Sequence, residues 1–301
     1  GRFSGRYKIN FQNLQRGSEL RTCLVAPDGY QLLVVDSSNI EARMLAWLAG
    51  QEDVLEVFRS GGDVYADMAS KIYGFKVSKD THPTERFVGK TAVLGLGYGM
   101  SANKFQLTLS TGAMGPRVDL SDEDALNVVK TYRKSNAFVT SLWKACSNAI
   151  DHMIKPEGYW AIKDLLPVGR KHIRLPNGLA LRYPHLRYNI SSPNNEYGFH
   201  GQIETVYGKE TRIYGGKLTE NIIQALARIV VTDQMLELDE VVREIGGAVV
   251  LTVHDEIVAV VPEIHAEAMF KEALEIMRTP PAWAFGLPLD AEGGYAKEYS
   301  K

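Results

Sequence analysis

Cysteine is scarce in this chain: 301 residues carry two, Cys23 and Cys146. They form no C-x-x-C pair, which excludes a zinc ribbon or a disulfide framework as the organising element. A reducing cytoplasm is the expected compartment. No apolar run is long enough to span a bilayer, and no stretch resembles a signal peptide, so no membrane association is expected. A basic excess is missing too. Thirty-four Lys and Arg against 36 Asp and Glu leave a formal charge of −2, which argues against a surface coated for nucleic acid. The charges are unevenly spread, however. Arg2, Arg6, Lys8, Arg16 and Arg21 face a single Glu19, and Arg170, Lys171, Arg174, Arg182 and Arg187 have no acid between them. Local phosphate contacts therefore stay open. No internal repeat or low-complexity tract occurs. Hydrophobic residues make up 45%, enough for a packed core.

What is present is organised around Leu251-Thr252-Val253-His254-Asp255-Glu256-Ile257-Val258. Two runs rich in valine and isoleucine flank three polar residues, which predicts two buried strands with His254, Asp255 and Glu256 at the hairpin tip. Polar residues at a hairpin tip are often only solvated turn residues. A second strand pattern, Gln31 to Asp36, also ends on an aspartate. Two carboxylates at the ends of hydrophobic strands of one sheet suit a hard divalent cation and two-metal phosphoryl chemistry.

After Asp36 the apolar period changes. Ile40, Met44, Leu45 and Leu48 predict a helix over 38–49, capped by Ser37 or Ser38 and ended by Gly50. Glu41 and Arg43 fall in its first turns. From Asp53 to Lys163 the pattern is mostly helical, with segments expected at 54–58, 64–73, 83–96, 102–109, 122–134 and 137–154. Pro83 suits a first helical turn, and Ser121 with Asp124 resembles a capping box. Residues 158–215 turn β-rich and basic, and Pro176-Asn177-Gly178 predicts a hairpin. Helices at 218–238 and 265–277 and a last strand near 287–291 complete the chain; residues 1–21 read as an irregular arm. The organisation is α+β: one sheet built from both sequence ends, with the residues between, 51–215, inserted. The expected domains are 1–50, 51–215 and 216–301.

Arg86, Lys90, Leu94 and Tyr98 recur at steps of four, which keeps them on nearly one helical face. Two cations suit a polyphosphate; the apolar and aromatic groups suit a planar base. Gly95, Gly97 and Gly99 permit close approach of another flat group. A basic stripe can also simply solvate a helix. Gly89-Lys90-Thr91 echoes a phosphate-binding P-loop, but Thr84 stands where that motif needs glycine and no strand precedes it.

Three stretches, in this order, resemble the three motifs of family A DNA polymerases: Asp36-Ser37-Ser38-Asn39-Ile40-Glu41-Ala42-Arg43, then Arg86-Phe87-Val88-Gly89-Lys90 through Tyr98-Gly99, then Val253-His254-Asp255-Glu256. Gly1-Arg2-Phe3-Ser4-Gly5 and Asn10-Phe11-Gln12-Asn13 are similar to the family's primer-side segment. Gly215-Gly216-Lys217-Leu218 looks most like phage members. The resemblance covers essentially the whole chain and implies a right-hand palm, an antiparallel sheet with helices, formed by the chain ends. A mainly helical fingers subdomain is inserted between them. It implies a DNA polymerase that adds deoxynucleoside triphosphates to a primer 3′-hydroxyl on primer–template DNA.

Under that resemblance Asp36 and Asp255 hold two Mg2+ ions, with the Ser37 carbonyl as a further ligand and Glu256 nearby. Arg86 and Lys90 contact the triphosphate, and Lys90 protonates the leaving group. Leu94 lies beside the incoming sugar and base, Tyr98 packs near the templating base, and Glu41 closes the space beside the sugar C2′ of the incoming nucleotide. Arg2, Gln12, Asn13, Gln224 and His254 touch the primer or template. Departures occur at Ser37, where many members carry an aromatic, at Leu94, where phenylalanine or tyrosine is usual, and at Glu220, where asparagine is common. Members place a thumb, and often an exonuclease domain, before the Gly1 segment. The thumb is expected to be absent here and the chain to be the C-terminal part of a longer polymerase, working with that N-terminal region or with accessory replication proteins. Two other functions compete: a nucleotide-binding fragment without activity of its own, and a metal-dependent nuclease using the same aspartates.

Overall fold

A computed structural model describes residues 19–188, 202–206 and 209–299. The short helix α1 (Glu19–Thr22) precedes strand β1 (Tyr30–Ser37) and helix α2 (Ile40–Ala49). Helices α3 (Glu52–Arg59), α4 (Val64–Tyr73), α5 (Pro83–Thr91), α6 (Ala102–Ser110), α7 (Asp122–Ser135) and α8 (Ala137–Ile154) follow. Short strands come next: β2 (Ala161–Ile162), β3 (Leu166–Gly169), β4 (His172–Arg174), β5 (Ala180–Arg182), β6 (Arg187–Tyr188), β7 (Gln202–Val206) and β8 (Lys209–Ile213). Helix α9 (Gly215–Glu244), strands β9 (Ala248–Val253) and β10 (Glu256–Pro262), helix α10 (Ala266–Arg278) and strand β11 (Ala291–Ala296) close the chain. No helix among the described residues is long and apolar enough to cross a membrane. The chain divides into two compact units, residues 1–43 with 224–301, and residues 44–223. Both junctions fall inside helices, α2 and α9.

The first unit is built on an antiparallel sheet in the order β11-β1-β10-β9. Its strands come from both sequence ends, as the two separated valine-rich patterns imply. Strand alternation sends Leu33, Val35, Ile257, Ala259 and Val261 to one face, against α9 (Val231, Leu238, Val242) and α10 (Met269, Ala273, Met277). Leu32, Val34 and Val258 go to the other, with Ala26 and Tyr299. Both faces of β1 are covered, which is why its apolar run is continuous rather than alternating. Each fully buried side chain of this size contributes about 1.5–3 kcal/mol.

The closing strand lies at 291–296, not near 287–291. Glycine hides it from a propensity reading: Gly293 pairs with Val35, and a Cβ there would lie 2.0 Å from the Val34 carbonyl oxygen. Only glycine permits that approach to β1.

In the second unit, Phe87 and Val88 of α5, Ala92 and Leu96 just beyond it, Phe105 and Leu109 of α6, and Val128, Val129 and Tyr132 of α7 share one core. Ser121 caps α7 as its sequence implies, accepting from the Asp124 amide at 3.0 Å. Gly89 belongs to packing rather than to a phosphate loop. A Cβ there would sit 2.2 Å from the Tyr65 carbonyl oxygen of α4, so glycine sets how closely α4 and α5 meet. Strands β2-β3-β4-β5 form a small sheet. Its β4–β5 hairpin turns where expected, with Gly178 donating to the Leu175 carbonyl at φ +81°.

The long helix expected over 83–96 is α-helical only to Thr91; Ala92–Leu96 is a π-helix. Thr91 donates its hydroxyl back to the Phe87 carbonyl at 3.0 Å, a local bond that competes with the regular ladder. Gly95 and Gly97 weaken the α-helix further. A π turn holds more residues than an α turn, so a step of four past Lys90 falls just short of a full turn instead of just past it, and Leu94 stays on nearly the same face.

Candidate functional site

The strand ends of the first unit carry the carboxylates. Asp36 is the seventh residue of β1 and stands opposite Glu256, the first of β10. The hairpin tip is tighter than the sequence pattern implies. Val253 and Glu256 already pair, so the turn holds His254 and Asp255 alone and Glu256 belongs to the strand. His254 has φ +58°, a left-handed conformation uncommon for a residue other than glycine. The Asp255 carbonyl accepts from the Ser37 amide at 3.1 Å, which ties the turn to the end of β1.

These placements crowd negative charge. Burial pushes the Asp255 carboxyl up to about 6, and Asp36 and Glu41 push it the same way, against its own backbone N–H and His254. Two carboxylates held together in a half-buried place favour a bound cation, which relieves their repulsion. Asp36, Asp255 and the backbone carbonyl of Ser37 are hard oxygen donors and fit Mg2+. Among the described residues no group of three or more His, Cys, Asp or Glu gathers as a metal cluster, so substrate oxygens and water would complete the coordination. Glu256 is buried, and its Oε1 accepts the Tyr299 hydroxyl.

Neither serine caps α2. The carbonyl of Asn39 accepts from the Arg43 amide at 3.0 Å, and Asn39 has φ +55°. Ser37 ends β1 with its hydroxyl oxygen buried and without a hydrogen-bond partner among the described residues. Arg43, buried, donates from Nε to the Ser38 carbonyl at 2.7 Å and from Nη1 to the Pro288 carbonyl at 3.0 Å. It thereby holds the turn after Asp36 against the segment leading into β11. Glu41 is half-buried in the first turn of α2, and Gln224 is half-buried on α9. Arg2, Gln12 and Asn13 lie outside the described residues.

The second unit carries the cationic face. Arg86, Lys90, Leu94 and Tyr98 are all half-buried, whereas Phe87, Val88, Gly89, Thr91, Ala92, Gly95, Leu96 and Gly97 are buried. Val93 packs against the core cluster. Of the three glycines expected to admit a flat group, Gly95 and Gly97 are filled from within the unit: added Cβ atoms would lie 2.8 Å from Met100 and 2.8 Å from Leu45, whereas at Gly99 the nearest atom is 3.7 Å away. Trp143 donates its indole N–H to the Gly97 carbonyl at 2.8 Å, satisfying backbone where the helix ends. Arg86 donates from Nε to Asp63 and lies with its guanidinium carbon 5.4 Å above the Tyr65 ring. Glu220 accepts from Lys217 at 2.9 Å.

Sequence reasoning missed Asp63 and Tyr299. Asp63 had a signal, since an aspartate immediately before Val64 is a preferred helix cap. Tyr299 had none, because it meets Glu256 from 43 residues away.

The family model described as DNA polymerase family A matches residues 1–155, just over half of the 301 residues. The DNA polymerase of Bacillus phage SP02 is 32% identical over 297 residues, covering 94% of this chain and 43% of the phage protein. The thermostable DNA polymerase I of Thermus thermophilus is 25% identical over 316 residues, covering 98% of this chain and 31% of that protein. Among solved structures, the POL domain of Pol1 from M. smegmatis, in complex with DNA primer-template and dNTP, superposes with a TM-score of 0.68 at 21% identity. That match covers 97% of this chain and 44% of the other, and it shows a shared fold. The chain thus spans less than half the length of these relatives, and it belongs to DNA polymerase family A.

Proposed function

We propose that this chain supplies the palm and fingers of a template-directed DNA polymerase, as the C-terminal part of a longer protein. Residues 1–43 with 224–301 form the palm and residues 44–223 the fingers, in this reading. The observation that carries it is the pair Asp36 and Asp255. Burial first, and then the charge of Asp36, push Asp255 up to about 6, with Asp36 near the end of β1 and Asp255 in the β9–β10 turn of one sheet.

The reaction joins the primer 3′-oxygen to the α-phosphorus of a deoxynucleoside triphosphate and breaks the bond to the β-phosphate, releasing pyrophosphate. Two Mg2+ ions held by Asp36, Asp255 and the Ser37 carbonyl would lower the pKa of the 3′-hydroxyl and offset charge on the leaving group. Arg86 binds the triphosphate, and Lys90, which has no acidic partner among the described residues, gives a proton to the departing pyrophosphate. Leu94 and Tyr98 flank the nucleotide, and Glu41 fills the space a 2′-hydroxyl would need. Arg2, Gln12, Asn13, Gln224 and His254 contact primer–template DNA. Glu256 supports the turn from within the strand through Tyr299.

A primer-extension assay with Mg2+ on the purified chain tests this reading. Extension that is lost in Asp36→Ala and Asp255→Ala, with the fold retained, is the expected outcome. Binding without extension would make the chain a nucleotide-binding fragment, and shortening of the primer would make it a nuclease.

A further inference from the structure

The one carboxylate of Asp63 does two separate jobs. Its Oδ1 accepts from the backbone amides of Tyr65 at 3.0 Å and Ala66 at 3.1 Å, capping α4. Its Oδ2 accepts from Nε of Arg86 on α5. The Tyr65 ring lies under the same guanidinium, 5.4 Å from its central carbon. The two helices meet closely enough for this arrangement because Gly89 lets α5 sit directly on the Tyr65 carbonyl.

We propose that Asp63 is a positioning residue for nucleotide binding: it fixes Arg86 by the inner nitrogen and leaves the outer two to grip the triphosphate. This rests on the reading of Arg86 as a triphosphate ligand. Three features favour it over a merely structural ion pair. Asp63 and Arg86 side chains are 30% and 24% exposed, and pairs with this much water access contribute little to stability. A pair built for strength would use two parallel bonds from the guanidinium fork. Here the only recorded bond is from Nε, and Nη1 and Nη2 have no acceptor among the described residues. The carboxylate also stays ionised: burial pushes Asp63 up, but the hydrogen bond from Arg86 and the amides of Ala66 and Tyr65 hold it below the usual range. A long, flexible cation is thus held in one pose before substrate arrives, which lowers the ordering cost of binding.

The substitution Asp63→Asn separates the two jobs, because asparagine caps a helix as well as aspartate does but its amide cannot accept from Arg86 while its oxygen serves the cap. In the full polymerase, Asp63→Asn is expected to melt with wild type and to raise KM for deoxynucleoside triphosphate about tenfold with kcat within about twofold. Asp63→Ala is expected to show the same KM change with a lower melting temperature. Combining Asp63→Asn with Arg86→Ala should add nothing to the KM of Arg86→Ala alone. An unchanged or lowered KM in Asp63→Asn, beside a raised KM in Arg86→Ala, overturns the positioning role. An unchanged KM in Arg86→Ala overturns the reading of Arg86 itself.

Discussion

The hydroxyl of Tyr299 donates a hydrogen bond to Oε1 of Glu256, and both residues are buried. Tyr299 also lies beneath Arg21, whose guanidinium carbon is 4.4 Å from the ring centre. The end of the described chain therefore packs under the strand residue that follows Asp255. Replacing Tyr299 by Phe keeps the ring and its stacking and removes the donor to a buried carboxyl oxygen. A loss of about 1–3 kcal/mol in urea unfolding is expected. No loss would mean that another donor takes over at Glu256.

Asp255 titrates near 6 in the fold, against 3.8 for an ordinary aspartate. Between those values the folded chain holds a proton that the unfolded chain has released. Without metal, this group therefore makes stability fall as pH rises through that window, and the deficit persists above it. In EDTA at about pH 8, Asp255→Asn should be more stable than wild type by about 1–2 kcal/mol, discounted for partial exposure. The advantage should fade by about pH 4, where both states are protonated. Added Mg2+ should stabilise wild type and not the variant. Urea unfolding with and without Mg2+ checks both, and a variant no more stable than wild type at high pH counts against the burial of Asp255 beside Asp36.

Gly89→Ala forces a methyl to within 2.2 Å of the Tyr65 carbonyl oxygen and 2.9 Å of the Ala69 Cβ. Backbone on both helices must shift, at a cost of about 1–3 kcal/mol. Thermal unfolding measures it, and a gain of stability, as expected for a glycine on an open helical face, would contradict the α4–α5 packing.

Glu41→Ala should admit ribonucleotides. Glu41 lies in the first turn of α2 and adds to the negative potential at Asp255, so its carboxylate reaches toward the carboxylate pair. Losing about 1–3 kcal/mol of discrimination corresponds to roughly 10- to 200-fold. The ratio of ribo- to deoxynucleotide incorporation reads it directly; an unchanged ratio would leave Glu41 as a structural residue.

Leu94→Tyr should increase use of dideoxynucleotides relative to deoxynucleotides. Leu94 is half-buried within the π-helix and outside the core cluster that Val93 joins, so a larger ring there need not displace that core. Steady-state incorporation of the two nucleotide types, for wild type and variant, decides it. An equal fall for both would place Leu94 in packing.

Local pattern determined much of this protein. Continuous apolar runs specified β1 and β10, because both of their faces are covered, and the β-branched run of β9 specified an edge strand with Val250 exposed. Apolar spacing specified most helices, because each buries one stripe. Asp36 and Asp255 were legible as a pair because each follows or interrupts such a run. Tertiary structure decided what depends on a partner distant in sequence. Glu256 faces Asp36 across the sheet and is claimed by Tyr299, a contact that no window of residues contains. The π turn after Thr91 arises where a back-bonded threonine and two glycines meet core side chains, in a stretch whose spacing reads as ordinary α-helix. Strand β11 is hidden by its glycines, of which Gly293 is required by its closeness to β1. Asp63 reads as an ordinary cap until α5 packs on α4 and brings Arg86 to its second oxygen.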